Sequence, residues 1–235
     1  MSTSTFTVTI QMLPDTLEGL ILSDFSLFAY GAVQCSDRAA QPLVWMTTQQ
    51  LSEATRVTGA AQFAAYTAPG ATASRAVVPG FSVPIALDQT LTVQDRSGTG
   101  TVTEGGDSGA ITIFNDTTTP LECGISQVIQ GATAPVCVMP LHGDNGQMIL
   151  PVPSILLLFS TESAVAGTIA GNASGAGVLL DLGSEPNPTV SFDINRGWSW
   201  GGATWGREVA FGTPLAPLLT PQNDSLATLA VEMFV

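Results

Sequence analysis

Phe6-Thr7-Val8-Thr9-Ile10-Gln11-Met12 alternates apolar and polar side chains with a period of two. Successive side chains of an extended strand point to opposite faces, so this run offers Phe6, Val8, Ile10 and Met12 to a core and Thr7, Thr9 and Gln11 to water. The same pattern recurs along the chain. Leu91 and Val93 alternate with Thr90, Thr92 and Gln94, and Val190, Phe192 and Ile194 with Thr189, Ser191 and Asp193. Leu229, Val231, Met233 and Val235 share one side of a C-terminal run that reads as a docked strand. Shorter runs at 25–30, 43–47, 110–114, 125–129, 136–141, 155–160 and 177–182 read as further strands. Clusters rich in Gly, Asn, Asp and Ser at 95–100, 104–109, 142–146 and 171–175 punctuate them as turns.

One segment fits two templates. Leu51, Ala54, Val57, Ala61 and Ala64 recur at roughly helical spacing, whereas Val57, Gly59, Ala61, Phe63 and Ala65 share one strand face; strand is the favoured reading of 48–65. The longest apolar stretch, Met148 to Phe159, is too short to cross a bilayer as a helix and is interrupted by Pro151 and Pro153, so it reads as a buried strand. Together these signals predict an all-β, antiparallel β-sandwich with few or no helices, residues 1–235 forming one compact unit. A weak correspondence between the strand series at 25–66 and 155–200 is compatible with a tandem duplication dividing near residue 125.

Charge narrows the chemistry. Charged residues make up 11% of the chain, the formal net charge is −13, and the basic residues are six arginines with no lysine and a single histidine. Imine chemistry and a P-loop lysine are therefore excluded, as is a zinc site built from several histidines. Nucleic acid and anionic membranes are not expected partners, because no basic cluster exists to release counterions from either. No cofactor and no metal site are implied. The N-terminus has neither a basic nor an apolar leader region, from which a cytoplasmic or non-classically secreted protein is expected. Cys35, Cys123 and Cys137 are too scattered for a disulfide framework and read as buried thiols, with one Cys123–Cys137 bridge as the alternative.

Three motifs touch on function. Gly106-Asp107-Ser108-Gly109 matches the local signature around a serine nucleophile, but His142 follows it in the chain; the simpler reading is a Gly-rich hairpin joining strands at 101–103 and 110–114. The acidic pairs Asp181 with Glu185 and Asp193 with Glu208 keep open a carboxylate-based hydrolase or cyclase. Residues 197–208 hold three of the four tryptophans amid four glycines. If this stretch is a strand, Trp198 and Trp200 share a face, and with Trp205 they offer a stacking surface edged by Asp193, Asn195 and Arg207. Packing of the same rings into the core is the competing reading. The expectation is a non-enzymatic, lectin-like protein that binds a neutral glycan or a small, partly apolar ligand. The alternative is a structural or self-assembling protein such as a capsid, fibre or coat component. The Thr/Ser/Gly/Ala-rich, charge-poor composition favours this alternative, and a homo-oligomer is among the expected partners.

Overall fold

The computed structural model describes residues 4–69 and 76–226. Strand accounts for 53% of the described residues, against ~20–25% in an ordinary globular protein. Helix is confined to short segments such as α1 (Pro14–Leu22) and α2 (Ala216–Leu219). The all-β class read from the alternation is what forms, as a sandwich of two sheets.

The first sheet runs in the order β16 (Gly197–Ser199), β15 (Thr189–Asp193), β1 (Thr5–Met12), β5 (Ala54–Ala68), β10 (Leu121–Ile129), β12 (Cys137–Leu141) and β3 (Gln41–Pro42). β11 (Ala132–Pro135) pairs with β10, and β6 (Phe81–Ile85) with β5. In the second sheet the order is β17 (Gly206–Val209), β14 (Gly177–Asp181), β13 (Asn145–Ser160), β9 (Ile111–Asn115), β7 (Gln89–Val93) and β8 (Gly100–Glu104). β2 (Ser26–Cys35) pairs with β13 and with β4 (Met46–Thr48).

The sheets are mixed, which corrects the purely antiparallel expectation. β1 pairs with β15 in parallel, and β7 with β9. Parallel neighbours need a crossover rather than a tight turn: β1 and β15 are joined by a long stretch of chain that visits the second sheet, and β7 and β9 by way of β8 on the far side of β7.

The loop at 104–109 is a second correction. It does not close a hairpin between its flanking strands, because β8 and β9 lie on opposite sides of β7. Burial explains the order: β9 is almost wholly buried and belongs inside the sheet, whereas β8 carries exposed Thr101 and Thr103 and takes the edge. Of the expected strand at 43–47, only Met46 and Thr47 pair within β4, and the 48–65 strand begins at Ala54. Helix α1 was not among the expected elements, although Pro14 in its first turn is a start signal. The expected C-terminal strand at 229–235 lies outside the described residues.

Alternation decides what each face touches. In β13, Ile155, Leu157 and Phe159 enter the core between the sheets, while Leu156 and Leu158 face a second cluster with Ala170, Ala173, Leu215 and Leu219. β2 divides in the same way, with Leu27, Ala29 and Val33 inward and Phe28, Tyr30 and Ala32 outward. Covered on both faces, these strands read as continuous apolar runs. All three cysteines are free and buried, so the alternative of a Cys123–Cys137 bridge does not hold. The neighbouring Cys137 thiol, together with burial, pushes the Cys35 thiol well above its usual range, and burial does the same to Cys123.

Two predictions follow from local geometry. Gly124 on β10 sits so close to Cys137 and Tyr66 that an added Cβ would come within 2.0 Å of the Cys137 carbonyl oxygen. The Tyr66 hydroxyl donates to that same oxygen at 2.6 Å. Gly124→Ala is expected to lower unfolding stability by about 3 kcal/mol, the upper part of the overpacking range, measured by urea denaturation. In the turn between β7 and β8, Asp95 accepts from the Ser97 hydroxyl and amide, at 2.5 and 2.8 Å, and from the Thr99 hydroxyl. These bonds, the Ser97 hydroxyl foremost, hold its carboxyl at about 2 against an ordinary 3.8. A depressed carboxylate stabilises the fold above its unfolded pKa and loses that contribution as pH falls through the folded value. An NMR titration of the Asp95 carboxyl is expected to show a midpoint near 2, moving up toward the ordinary value in Ser97→Ala.

Candidate binding site between the sheets

The tryptophan-rich stretch is not one platform strand: Gly197–Ser199 ends the first sheet as β16, and from Gly206 the chain joins the second sheet as β17. Trp198 lies on β16 opposite Phe192 of β15 and stacks on Phe159 of β13, with ring centroids 5.4 Å apart and planes 12° from parallel. Its indole N–H donates to the Ala176 carbonyl at 3.0 Å. β16 ends at Ser199, so Trp200 lies past the strand. Its ring covers Gly206, and its N–H donates to the Ala203 carbonyl at 3.0 Å. Trp205 packs on the core and accepts the Asp181 amide at its carbonyl. Arg207 is exposed on β17, opposite Leu179 of the second sheet.

Of the six residues expected to form the site, Trp198 and Asp193 line one groove. Asn195 stands beside it in a turn whose amides, with that of Arg196, donate to the Asp193 carboxylate at 2.8 and 3.0 Å. The groove also takes Gln11, Glu53, Ser191, Arg196 and Ser199, and encloses about 660 Å³. Trp200, Trp205 and Arg207 are not part of this lining.

A different concavity lies between the sheets, where both are interrupted. On β5 the partners of β10 jump from Phe63 to Ala60, leaving Ala61 and Gln62 as extra residues. Along β13 the partners of β2 jump likewise, leaving Pro153 and Ser154 extra. Such bulges bend the strand and release its side chains from the ladder. Both open onto one cleft of about 270 Å³. Ala61 and Phe63 line one side, Pro151, Val152, Pro153 and Ser154 the other.

Trp45 and Phe6 form the deep wall, their ring centroids 6.1 Å apart. Trp45 is 2% exposed. Its backbone N–H donates to Ala29 in the second sheet and its indole N–H to Gln127 in the first, so it ties the two sheets together beneath the cleft. The Gln127 carboxamide is oriented by its own N–H bond to the Ala60 carbonyl at 3.2 Å. Leu182 donates its amide to the Pro153 carbonyl at 2.7 Å, which pins the bulge. Among the described residues, no titratable side chain lines the cleft.

The other candidate groups do not converge. Ser108 precedes β9, while the His142 carbonyl accepts from Asn115 at the far end of that strand. The length of β9 between them is about 13 Å at ~3.3 Å per residue. Asp181 is occupied by the turn it closes, accepting from the Ser184 hydroxyl at 2.6 Å and the Gly183 amide at 2.9 Å, which lowers its pKa. Asp193 and Glu208 lie in different sheets. Among the described residues, no three His, Cys, Asp or Glu gather as a metal-binding group.

Nothing in the sequence pattern marked the cleft. Pro151 and Pro153 were the available signal, since proline inside a strand is tolerated only at an edge or a bulge. Comparison with family models, with curated proteins and with solved structures finds no match.

Trp198 supplies the prediction. A ring stacked on Phe159 with its N–H bonded internally contributes to folding, so Trp198→Ala is expected to cost about 2 kcal/mol by urea denaturation, below the ~3–5 of a fully buried ring.

Proposed function

We propose that this chain is a non-enzymatic binding protein that holds a small, partly apolar ligand between its two sheets. The observation that carries the reading is the pair of bulges, one in each sheet, opening onto a single apolar cleft with a rigid aromatic wall. Concave, mostly apolar sites with a few placed polar groups are where small molecules bind. Here Trp45 and Phe6 supply the ring surface, and Gln127 and Ser154 the polar points. Among the described residues the lining contains no carboxylate, imidazole or thiol, and this favours binding over a carboxylate-based reaction.

A neutral glycan in the groove at the end of the first sheet is the second reading. It is favoured by one row of exposed polar side chains, Ser199, Ser191 and Gln11, that crosses β16, β15 and β1 in register beside Asp193 and Arg196. Such a row suits hydroxyl-rich ligands. Stacking on Trp198 is weaker support, because Phe159 already covers one face of that ring.

One experiment separates the two. Neutral ring fragments and neutral monosaccharides are titrated into isotope-labelled protein and followed by amide and indole NMR. The expected result is that ring fragments shift the Trp45 indole, Gln127 and Ser154 signals, and that these shifts vanish in Ala61→Phe. Saccharide-induced shifts at Ser191, Arg196 and Ser199, with the cleft signals unmoved by every fragment, would transfer the function to the groove.

A further inference from the structure

The lining of the inter-sheet cleft is biased in a way that names its ligand more closely. Pro151, Pro153 and Pro186 have no N–H, so the wall they form brings no backbone donor; the Pro153 and Pro186 carbonyls already accept from Leu182 and Thr7 and each keeps a second lone pair. The Trp45 indole N–H is already engaged, and so is one of the two N–H groups of the Gln127 carboxamide. The Trp45 indole donates to the Gln127 carbonyl at 3.1 Å, and the Gln127 amide nitrogen to the Ala60 carbonyl at 3.2 Å. That second bond leaves the Gln127 side-chain oxygen and the other N–H of its amide to face a ligand. Hydroxyls such as that of Ser154 can serve as donor or acceptor. The donors the lining brings are the second Gln127 N–H and the hydroxyls of Ser4, Thr5 and Ser154, which themselves also accept, so acceptors outnumber donors.

Size and charge add two limits. An apolar cavity of about 150 Å³ takes a benzene ring; at about 270 Å³ the cleft has room for two fused rings, or for one ring with a short substituent. No cation lines it. Beyond its mouth, a second depression shares Ser4, Ala61, Phe63 and Leu87 with the cleft and adds the carboxylate of Asp88. A ligand anion would meet like charge on the way in and have no partner inside, and burying an unpaired charge is costly.

From this we infer that the cleft selects a neutral molecule of one or two rings that brings its own hydrogen-bond donor, a phenolic or alcoholic hydroxyl or a ring N–H, and discriminates against carboxylates of the same shape. This rests on the reading of the cleft as the ligand site. Leu87, 41% exposed at the shared rim, sits where such a molecule would enter.

Three probes of nearly one shape test the selection at pH 7: 2-naphthol, which is neutral there and carries a donor; 2-methoxynaphthalene, which has an acceptor only; and 2-naphthoate, an anion. Affinities come from isothermal titration calorimetry and the site from intermolecular NOEs. The expected result is NOEs from 2-naphthol to Trp45 and Phe63, with binding about tenfold tighter than 2-naphthoate and about threefold or more tighter than 2-methoxynaphthalene. Gln127→Leu is expected to erase the preference over 2-methoxynaphthalene. Ala61→Phe, which fills the cleft, is expected to weaken 2-naphthol at least about tenfold, while Val165→Ser, an exposed change outside the lining, leaves it unaltered. If either substitution prevents folding, the NOEs and the ranking of the three probes on the unaltered chain decide alone. NOEs to Trp45 and Phe63 from all three probes with equal affinities would overturn the donor selection and leave the cleft as a binding site. Absence of NOEs to those rings from any probe would overturn both.

Discussion

Burial of β13 on both faces is the constraint from which the architecture follows. Ile155, Leu157 and Phe159 need a partner sheet on one side, and Leu156 and Leu158 need cover on the other. The first sheet meets the first need. The second is met by segments carrying Ala170, Ala173, Leu215 and Leu219, laid over the outside of the second sheet. The second sheet thus becomes a middle layer over this part of its length. An apolar strand left bare would expose a patch that soluble proteins avoid, so the coverings are obligatory parts of the fold.

Where that double burial stops, the cleft begins. Pro153 and Ser154 sit outside the β2 ladder immediately before Ile155, and Ala61 and Gln62 sit outside the β10 ladder in the facing sheet. Regular strands on both sides would close this space with interdigitating side chains, as in the rest of the core. Trp45 keeps the sheets joined at the same level through one bond to each, at Ala29 and Gln127. The result is an opening with a fixed floor, the kind of pre-formed shape that limits the ordering cost of binding.

The same accounting of hydrogen bonds changes the standing of the tryptophan cluster. An indole offers a single donor, and those of Trp198 and Trp200 are both directed at backbone carbonyls of their own surroundings. Trp198 also closes an aromatic group with Phe159 and Phe192. Its neighbour Asp193 still faces a polar groove with Arg196, so the stretch retains a surface whose ligand, if it has one, would be recognised more by hydrogen bonds than by stacking.

The sequence by itself determined the class and most of the strands, because a period of two is a local property that survives any tertiary arrangement. Phe6 to Met12 forms β1 with its even-numbered residues buried, and 177–182 and 189–194 likewise become strands within a residue or so at their ends. It also determined what chemistry was absent, since a chain without lysine and with one histidine carries that restriction into any fold. Only the tertiary structure decided which strands became neighbours: periodicity does not encode pairing, and so β9 landed beside β7 in parallel rather than beside β8. The cleft was equally illegible. Ala61, Gln127 and Ser154 are far apart in the chain and ordinary in composition, and they form one site only because two ladders slip at the same level of the sandwich. A ligand pocket is a property of the space between elements, and no pattern within one element records it.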